Sequence, residues 1–92
     1  MQKKLALMAD YLSDKNSSTA WLNLGRLAAS LFFHRAAIEY FEKSASLAQE
    51  HGDSEGLSHA WSFLGSLYSD DEDWDRACRF YEKALQALVQ LG

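Results

Sequence analysis

Apolar side chains recur at helical spacing from the start of the chain. Between residues 2 and 14 they stand at positions i, i+3, i+4 and i+7, the period of one face of an α-helix. They are Leu5, Met8, Ala9 and Leu12. Residues 15–18 are polar, and Ser17 or Ser18 can cap a second helix. The apolar positions of that helix are Trp21, Leu24, Leu27, Ala28 and Leu31.

The same period continues to the end of the chain. From His34 it predicts a third helix that ends where Gly52 and Asp53 interrupt the pattern. Its apolar positions are Ala37, Ile38, Phe41, Ala45 and Ala48. A fourth helix is predicted over residues 54–69 and, after an acidic turn, a fifth over residues 73–91. Because no stretch alternates like a strand, the pattern predicts an all-α fold of about five helices.

The chain also repeats itself every 40 residues. Residues 18–52 align with residues 58–92 without a gap and share ten identities. These are Ser18, Ala20, Trp21, Leu24, Gly25, Leu27, Ala37, Glu42, Lys43 and Gly52 in the first copy. A fixed period of this length indicates stacked supersecondary units that bury their apolar faces against one another. Gly25 and Gly65 follow the tryptophans by one turn, so we expect a neighbouring helix to approach closely there.

These residues resemble the tetratricopeptide repeat, whose signature is Trp-x-x-Leu-Gly followed on a second helix by a small, an aromatic and another small residue. One copy comprises residues 21–25 with Ala37, Phe41 and Ser44; the other comprises residues 61–65 with Tyr68, Ala77, Tyr81 and Ala84. The resemblance implies antiparallel helix hairpins stacked as a fragment of an α-solenoid. It divides a single domain, residues 1–92, into a second-type helix of a partial repeat (1–14), repeat one (18–57) and repeat two (58–92).

Four features depart from the family pattern. The period is 40 residues, whereas the family usually repeats every 34, and the chain has no proline. Phe32 and Glu72 stand at the turn position where the family prefers glycine. A left-handed backbone would strain a bulky residue there, so we expect a changed turn geometry. Ala28 replaces a tyrosine, which leaves room for Phe32 or Phe33 to fold inward.

The resemblance also implies a binding surface, because the first helix of each family repeat lines a concave groove. The matching positions in repeat one are Thr19, Leu22, Arg26, Ala29 and Ser30, and those in repeat two are His59, Ser62, Ser66, Ser69 and Asp70. Their small, polar character suits contact with a peptide backbone or a partner helix. Chaperone-binding relatives hold a carboxyl terminus with Lys and Asn where this chain has Leu22 and Arg26, so we do not expect that ligand. The predicted function is a protein-protein interaction scaffold.

Composition limits the classes of partner. A net charge of -4 argues against a phosphate-backbone ligand, which needs clustered lysine and arginine. No apolar run approaches the roughly 20 residues of a membrane span, so neither nucleic acid nor membrane is an expected partner. Cys78 is the single cysteine, which favours a reducing, cytoplasmic location. It corresponds to Ile38 in the repeat, so we expect it to fill a small apolar slot.

The acidic segment 70–75 has five carboxylates in six residues. From Asp71 the spacing approaches that of an EF-hand loop, but Arg76 stands where that loop requires glycine. The helical register also places the later ligands inside a helix. We therefore expect Asp73 to cap the last helix, and we expect no metal site.

Catalytic chemistry has little support in the sequence. The histidines are spaced by 17 and 8 residues, which matches no metal-binding pair on a helix. They are His34, His51 and His59. No glycine-rich phosphate loop occurs, and nothing indicates a base that would activate Cys78. The chain is expected to be no enzyme and to need no cofactor.

The last predicted helix leaves an apolar stripe with little charge after Lys83. The stripe comprises Leu85, Leu88, Val89 and Leu91. Ends of solenoids usually carry a polar cap, so the stripe predicts either an excerpt of a longer repeat array or pairing with another copy. A homo-oligomerisation module is thus the alternative function.

Overall fold

The computed structural model describes residues 17–91, which form helices joined by three-residue turns. Helix α1 spans Ser18–Ser30, α2 spans His34–Glu50, α3 spans Ser54–Asp70 and α4 spans Trp74–Leu91. No strand occurs in this part of the chain, so the predicted all-α fold is confirmed. The four helices begin and end close to the predicted positions; the helix predicted over residues 2–14 lies outside the described residues.

Consecutive helices pack antiparallel, so α1 with α2 and α3 with α4 form two hairpins. The Ser44 hydroxyl, late in α2, donates a 2.7 Å hydrogen bond to the carbonyl of Ser18 at the start of α1. Helix α3 packs on α2 and also contacts α1, to which it runs parallel. The core lies where these three helices meet. Its buried residues are Leu24, Ala28, Ala37, Phe41, Leu64 and Leu67.

In each hairpin an aromatic ring on the second helix packs directly against the backbone of a glycine on the first helix. A Cβ atom added at Gly25 would lie 2.6 Å from the ring of Phe41, and one at Gly65 would lie 3.0 Å from the ring of Tyr81. The expected close approach at both glycines is therefore confirmed. The two rings differ in how much room they have to move, because Phe41 is 1% exposed whereas Tyr81 is 45% exposed.

The three turns between helices have the same backbone geometry. In the first, Phe33 N–H donates to the Ala28 carbonyl at 2.9 Å and Phe32 N–H donates to the Ala29 carbonyl at 3.0 Å. This pair of bonds is a Schellman motif, which needs a left-handed residue after the helix cap. Phe32 fills that position with φ 63°, and Gly52 and Glu72 fill it in the other two turns with φ 66° and 61°.

The expectation of a changed turn geometry at Phe32 and Glu72 is therefore wrong. Both residues keep the left-handed backbone because the short turn needs it to satisfy the last carbonyls of the preceding helix. The strain remains, since a Cβ atom in this region crowds the backbone at a cost of about 1–2 kcal/mol. Phe33 packs against the core beside Ala28, whereas the Phe32 ring is 84% exposed.

Side-chain caps begin three of the helices. The Ser17 hydroxyl accepts from Ala20 N–H at 3.2 Å, and Asp53 accepts from Gly56 N–H at 2.9 Å. Asp73 accepts from Arg76 N–H at 3.4 Å, as predicted. Helix α2 has no such bond, because its cap position holds Phe33.

Helix α4 differs from α2 in what covers it. Cys78 is exposed, which corrects the expectation that it fills an apolar slot like Ile38. The physical reason is that α3 covers this face of α2, whereas nothing in the described residues covers the same face of α4. The apolar stripe predicted on the last helix is confirmed for Leu85, Leu88 and Val89, which are all exposed.

Gly25→Ala should lower the free energy of unfolding by about 1–2 kcal/mol. Overpacking against the immobile Phe41 ring costs about 1–3 kcal/mol, of which the better helix propensity of alanine offsets up to about 1 kcal/mol. Gly65→Ala is the matched control: the half-exposed Tyr81 ring can move aside, so its cost should be within about 0.5 kcal/mol of zero. Urea denaturation measures both, and equal losses would contradict this account.

Phe32→Gly should raise the free energy of unfolding by about 1 kcal/mol, because glycine adopts φ 63° without crowding its Cβ atom. For a domain of this size the melting temperature then rises by about 4–8 °C. Leu31→Gly is the control, since Leu31 has φ -93° and gains no relief of strain. A lower melting temperature for Phe32→Gly would show that contacts of the ring outweigh the strain.

Candidate partner-binding surface

Helices α1 and α3 share a solvent-facing surface, which we call the first-helix face. It consists of the ten residues predicted to bind a partner: Thr19, Leu22, Arg26, Ala29, Ser30, His59, Ser62, Ser66, Ser69 and Asp70. All ten are exposed or half-buried. The two helices lie side by side because each is the first helix of a hairpin and the hairpins stack in the same direction.

A cavity of about 310 Å³ opens between the amino-terminal halves of these helices. Three of the predicted residues, Thr19, Leu22 and His59, line it together. Its other lining residues are Ser18, Ser44, Asp53, Glu55 and Gly56. Sequence reasoning missed these five residues, although a parallel arrangement of first helices brings the start of α3 beside the start of α1.

The cavity combines an apolar wall with an acidic edge. Leu22 is half-buried and packs against the core, so it gives the cavity an apolar side. At the edge, Nε2 of His59 lies 3.8 Å from the carboxylate of Glu55, one turn earlier on α3. Asp53 is also acidic, but one of its oxygens already caps α3. This arrangement can bind an apolar side chain next to a hydrogen-bond donor or a cation.

Arg26 connects the two helices further along the first-helix face. Its guanidinium carbon lies 5.7 Å from the centre of the Phe63 ring on α3, within range of a cation–π contact. Phe63 in turn stacks on Phe41, with ring centres 5.1 Å apart and planes 8° from parallel. The position of Arg26 therefore depends on the core. Phe63 was not among the predicted site residues, because neither Phe63 nor its counterpart Asn23 falls on the positions that line the groove in the family.

The other six predicted residues do not converge on the cavity. Ala29 packs against the core, and the Ser30 hydroxyl donates to the Leu27 carbonyl at 2.8 Å. Ser62 and Ser69 are half-buried, while Ser66 and Asp70 are exposed. The structure therefore separates the first-helix face into a cavity at one end, Arg26 in the middle and a small polar surface at the other end.

Two carboxylates of the acidic segment 70–75 form contacts with other residues of the domain. Asp71 lies 3.2 Å from Nδ1 of His34, which joins the last turn to the start of α2. Asp73 caps α4 and lies 3.6 Å from the guanidinium of Arg76. Within residues 17–91, no group of three or more His, Cys, Asp or Glu side chains is arranged to hold a metal ion.

Comparison with known families agrees with this architecture. The sequence model of the tetratricopeptide repeat matches residues 16–88, which cover both hairpins. The chain belongs to the tetratricopeptide repeat family. Members of this family are generally non-catalytic and act in protein–protein interaction. No curated protein matches the chain. None of the helices in residues 17–91 is long and apolar enough to cross a membrane.

A second cavity, of about 360 Å³, lies on another side of this tetratricopeptide repeat domain, between α2, α3 and α4. It is lined by Gln49, Leu57, Trp61, Lys83, Gln86, Ala87 and Gln90. The ammonium group of Lys83 lies 5.6 Å from the centre of the Trp61 ring, so the repeated Trp and Lys positions meet here. None of the predicted site residues contributes to it.

Proposed function

We propose that the chain is a protein-interaction scaffold that binds a peptide or a partner helix on its first-helix face. The observation that carries the proposal is the cavity that Thr19 and Leu22 form with His59 across two repeats. A ligand there would contact both hairpins at once, which is how a stacked repeat builds an extended binding surface. Arg26, exposed and held over Phe63, would then meet a carboxylate or carbonyl of the ligand.

We infer that binding needs no cofactor or metal and is accompanied by no catalysis. The partner is a protein, not nucleic acid or membrane, because the net charge of -4 opposes a phosphate-rich surface. A cytoplasmic location suits the single exposed thiol of Cys78. The domain comprises the partial repeat 1–14 and the repeats 18–57 and 58–92.

Leu22→Glu and Arg26→Glu should each reduce capture of the partner by about tenfold or more, because they place a carboxylate in the cavity wall and reverse the charge above Phe63. The measurement is quantitative mass spectrometry of proteins retained from a cell lysate by each immobilised, folded variant. Lys43→Glu is the control, since it makes the same charge reversal on an exposed position of α2. A partner retained equally by wild type, Leu22→Glu and Arg26→Glu would contradict the first-helix face as its site.

A second candidate function is homo-oligomerisation through α4. The observation in its favour is the exposure of Leu85, Leu88 and Val89 on one helix. If α4 pairs with a second copy, the sedimentation coefficient should rise with concentration, and Leu85→Glu should restore the monomer. A chain that sediments as a monomer at high concentration would rule this candidate out.

A further inference from the structure

Helix α4 has a basic side that points away from its exposed leucines. Arg79, Lys83 and Ala87 follow one another at intervals of four residues, so they form a row along this side. Lys83 and Ala87 also line the second cavity, of about 360 Å³. By helical position Lys83 lies about 140–160° around α4 from Leu85 and Leu88. The row therefore belongs to a different surface from the exposed apolar side of α4.

Repeat one shows that the stacking of repeats leaves this side of a second helix open. Lys43 and Glu50 of α2 stand at the register of Lys83 and Gln90. Both are exposed, although α3 packs on α2 and the second hairpin follows. A further unit placed on α4 in the same register would therefore leave Lys83 and the mouth of the second cavity open.

Two aromatic rings hold the ammonium group of Lys83 in place beside the cavity. It lies 5.6 Å from the centre of the Trp61 ring and 5.5 Å from that of the Phe80 ring. Phe80 is itself stacked on Tyr68, with ring centres 5.6 Å apart and planes 5° from parallel. Such rings attract a cation without neutralising its charge. No ion pair within residues 17–91 uses Lys83, so a positioned cation is available to an anionic ligand.

The two repeats differ in charge along this side of the second helix. Repeat one has Glu39 and Glu50 where repeat two has Arg79 and Gln90. All four residues are exposed, so packing does not require the difference. It removes two carboxylates and adds a guanidinium beside the lysine that both repeats share. Repeat two is therefore the repeat whose outer side complements an anionic ligand.

The net charge of -4 does not oppose such a ligand at this place. Exposed charges further away than about 8 Å are largely screened at physiological ionic strength. Of the described residues that line the cavity, none is acidic. The acidic residues of α4 are Asp75 and Glu82, which by helical position lie about 80–100° around the helix from Lys83. Lys83 thus sets the local charge of the cavity.

The spacing of the row defines the shape of the ligand. Four residues of an α-helix rise by about 6.0 Å, and two residues of an extended peptide rise by about 6.6 Å. An extended peptide alongside α4 would thus place alternate side chains opposite Arg79, Lys83 and Ala87. The carboxamides of Gln86 and Gln90, which line the cavity, can pair with its backbone N–H and C=O groups. The matching sequence is acidic-x-acidic-x-apolar.

We propose that the basic side of α4 and the second cavity bind an extended acidic segment of another protein. One carboxylate pairs with Lys83 above Trp61, and a second carboxylate, two residues away, pairs with Arg79. An apolar side chain enters the cavity beside Leu57 and Ala87. The site is separate from the first-helix face, and the two ligands do not compete.

Three synthetic peptides with blocked termini test the proposal. The first, Leu-Ser-Glu-Ser-Glu-Ser-Leu, presents the required spacing in either direction. The second has glutamine in place of both glutamates, and the third, Leu-Ser-Ser-Glu-Glu-Ser-Leu, has the composition of the first with adjacent carboxylates. Amide chemical shifts of the whole chain, followed during each titration, measure the dissociation constants. The first peptide should bind about fivefold more tightly than the second and about threefold more tightly than the third.

Variants of the whole chain assign the binding site. Lys83→Gln should weaken binding of the first peptide by about threefold and leave that of the second unchanged, whereas Lys83→Arg should keep the binding because it keeps a cation over the rings. Lys43→Gln is the matched control, since it makes the same change at the exposed counterpart on α2 and should not weaken binding. Shift changes should centre on Lys83, Gln86 and the indole of Trp61. Each variant changes an exposed side chain, and an unchanged melting curve verifies its fold.

Several outcomes would overturn the proposal. Equal binding of the first and second peptides would exclude the carboxylates, equal binding of the first and third would exclude the extended spacing, and no binding of any would exclude the site. Shift changes centred on Leu22 and Arg26 would assign the acidic peptide to the first-helix face instead. Binding of vesicles that contain phosphatidylserine, without binding of the first peptide, would identify an anionic membrane as the occupant. Self-association that Lys83→Gln abolishes would identify the acidic segment 70–75 of a second copy.

Discussion

The contact between the Phe41 ring and the Gly25 backbone supports most of the structure. A side chain at position 25 would push the ring away from the backbone of α1 and loosen the packing of the first hairpin. Because Phe41 is held on that side, its other side presents a fixed flat surface on which Phe63 stacks at 5.1 Å. That second contact joins the two hairpins, and Phe63 in turn supports Arg26. One small residue thus influences the hairpin, the stacking of the repeats and the candidate site.

The second hairpin has the same contact between a glycine backbone and an aromatic ring, but among the described residues no second ring stacks on the outer side of that aromatic residue. Tyr81 packs against Gly65, but nothing in the described chain stacks on its other side, and the ring remains partly exposed. The same difference explains Cys78, which is exposed although its counterpart Ile38 packs against the core. In a stacked repeat the environment of a residue depends on whether a neighbour follows, so residues in equivalent positions need not be equally buried. This asymmetry is seen in two surfaces: the first-helix face is built between the two repeats, whereas the exposed apolar side of α4 has no neighbour within the described residues.

The turns show how tertiary constraints override a local preference. Glycine suits the left-handed position, and Gly52 occupies it without strain. Phe32 and Glu72 adopt nearly the same φ because both flanking helices are anchored by packing, and only this geometry satisfies the last carbonyls in a three-residue turn. A changed turn would relieve the backbone strain at one residue. It would also lose the hydrogen bonds to the last carbonyls of the preceding helix, and that loss outweighs the relief.

The sequence by itself determined the four helices of residues 17–91, the cap at Asp73, the 40-residue register and the family, because these follow from the spacing of residues along the chain; it left the cap of α1 open between Ser17 and Ser18. It also selected the first-helix positions, of which Thr19, Leu22 and His59 come together in one cavity. Only the tertiary structure decided that Glu55 borders this cavity, that Phe63 supports Arg26 and that Cys78 and Tyr81 are exposed. Periodicity shows which side of a helix is apolar, but it does not show whether another helix covers that side or which side chains from distant segments then meet.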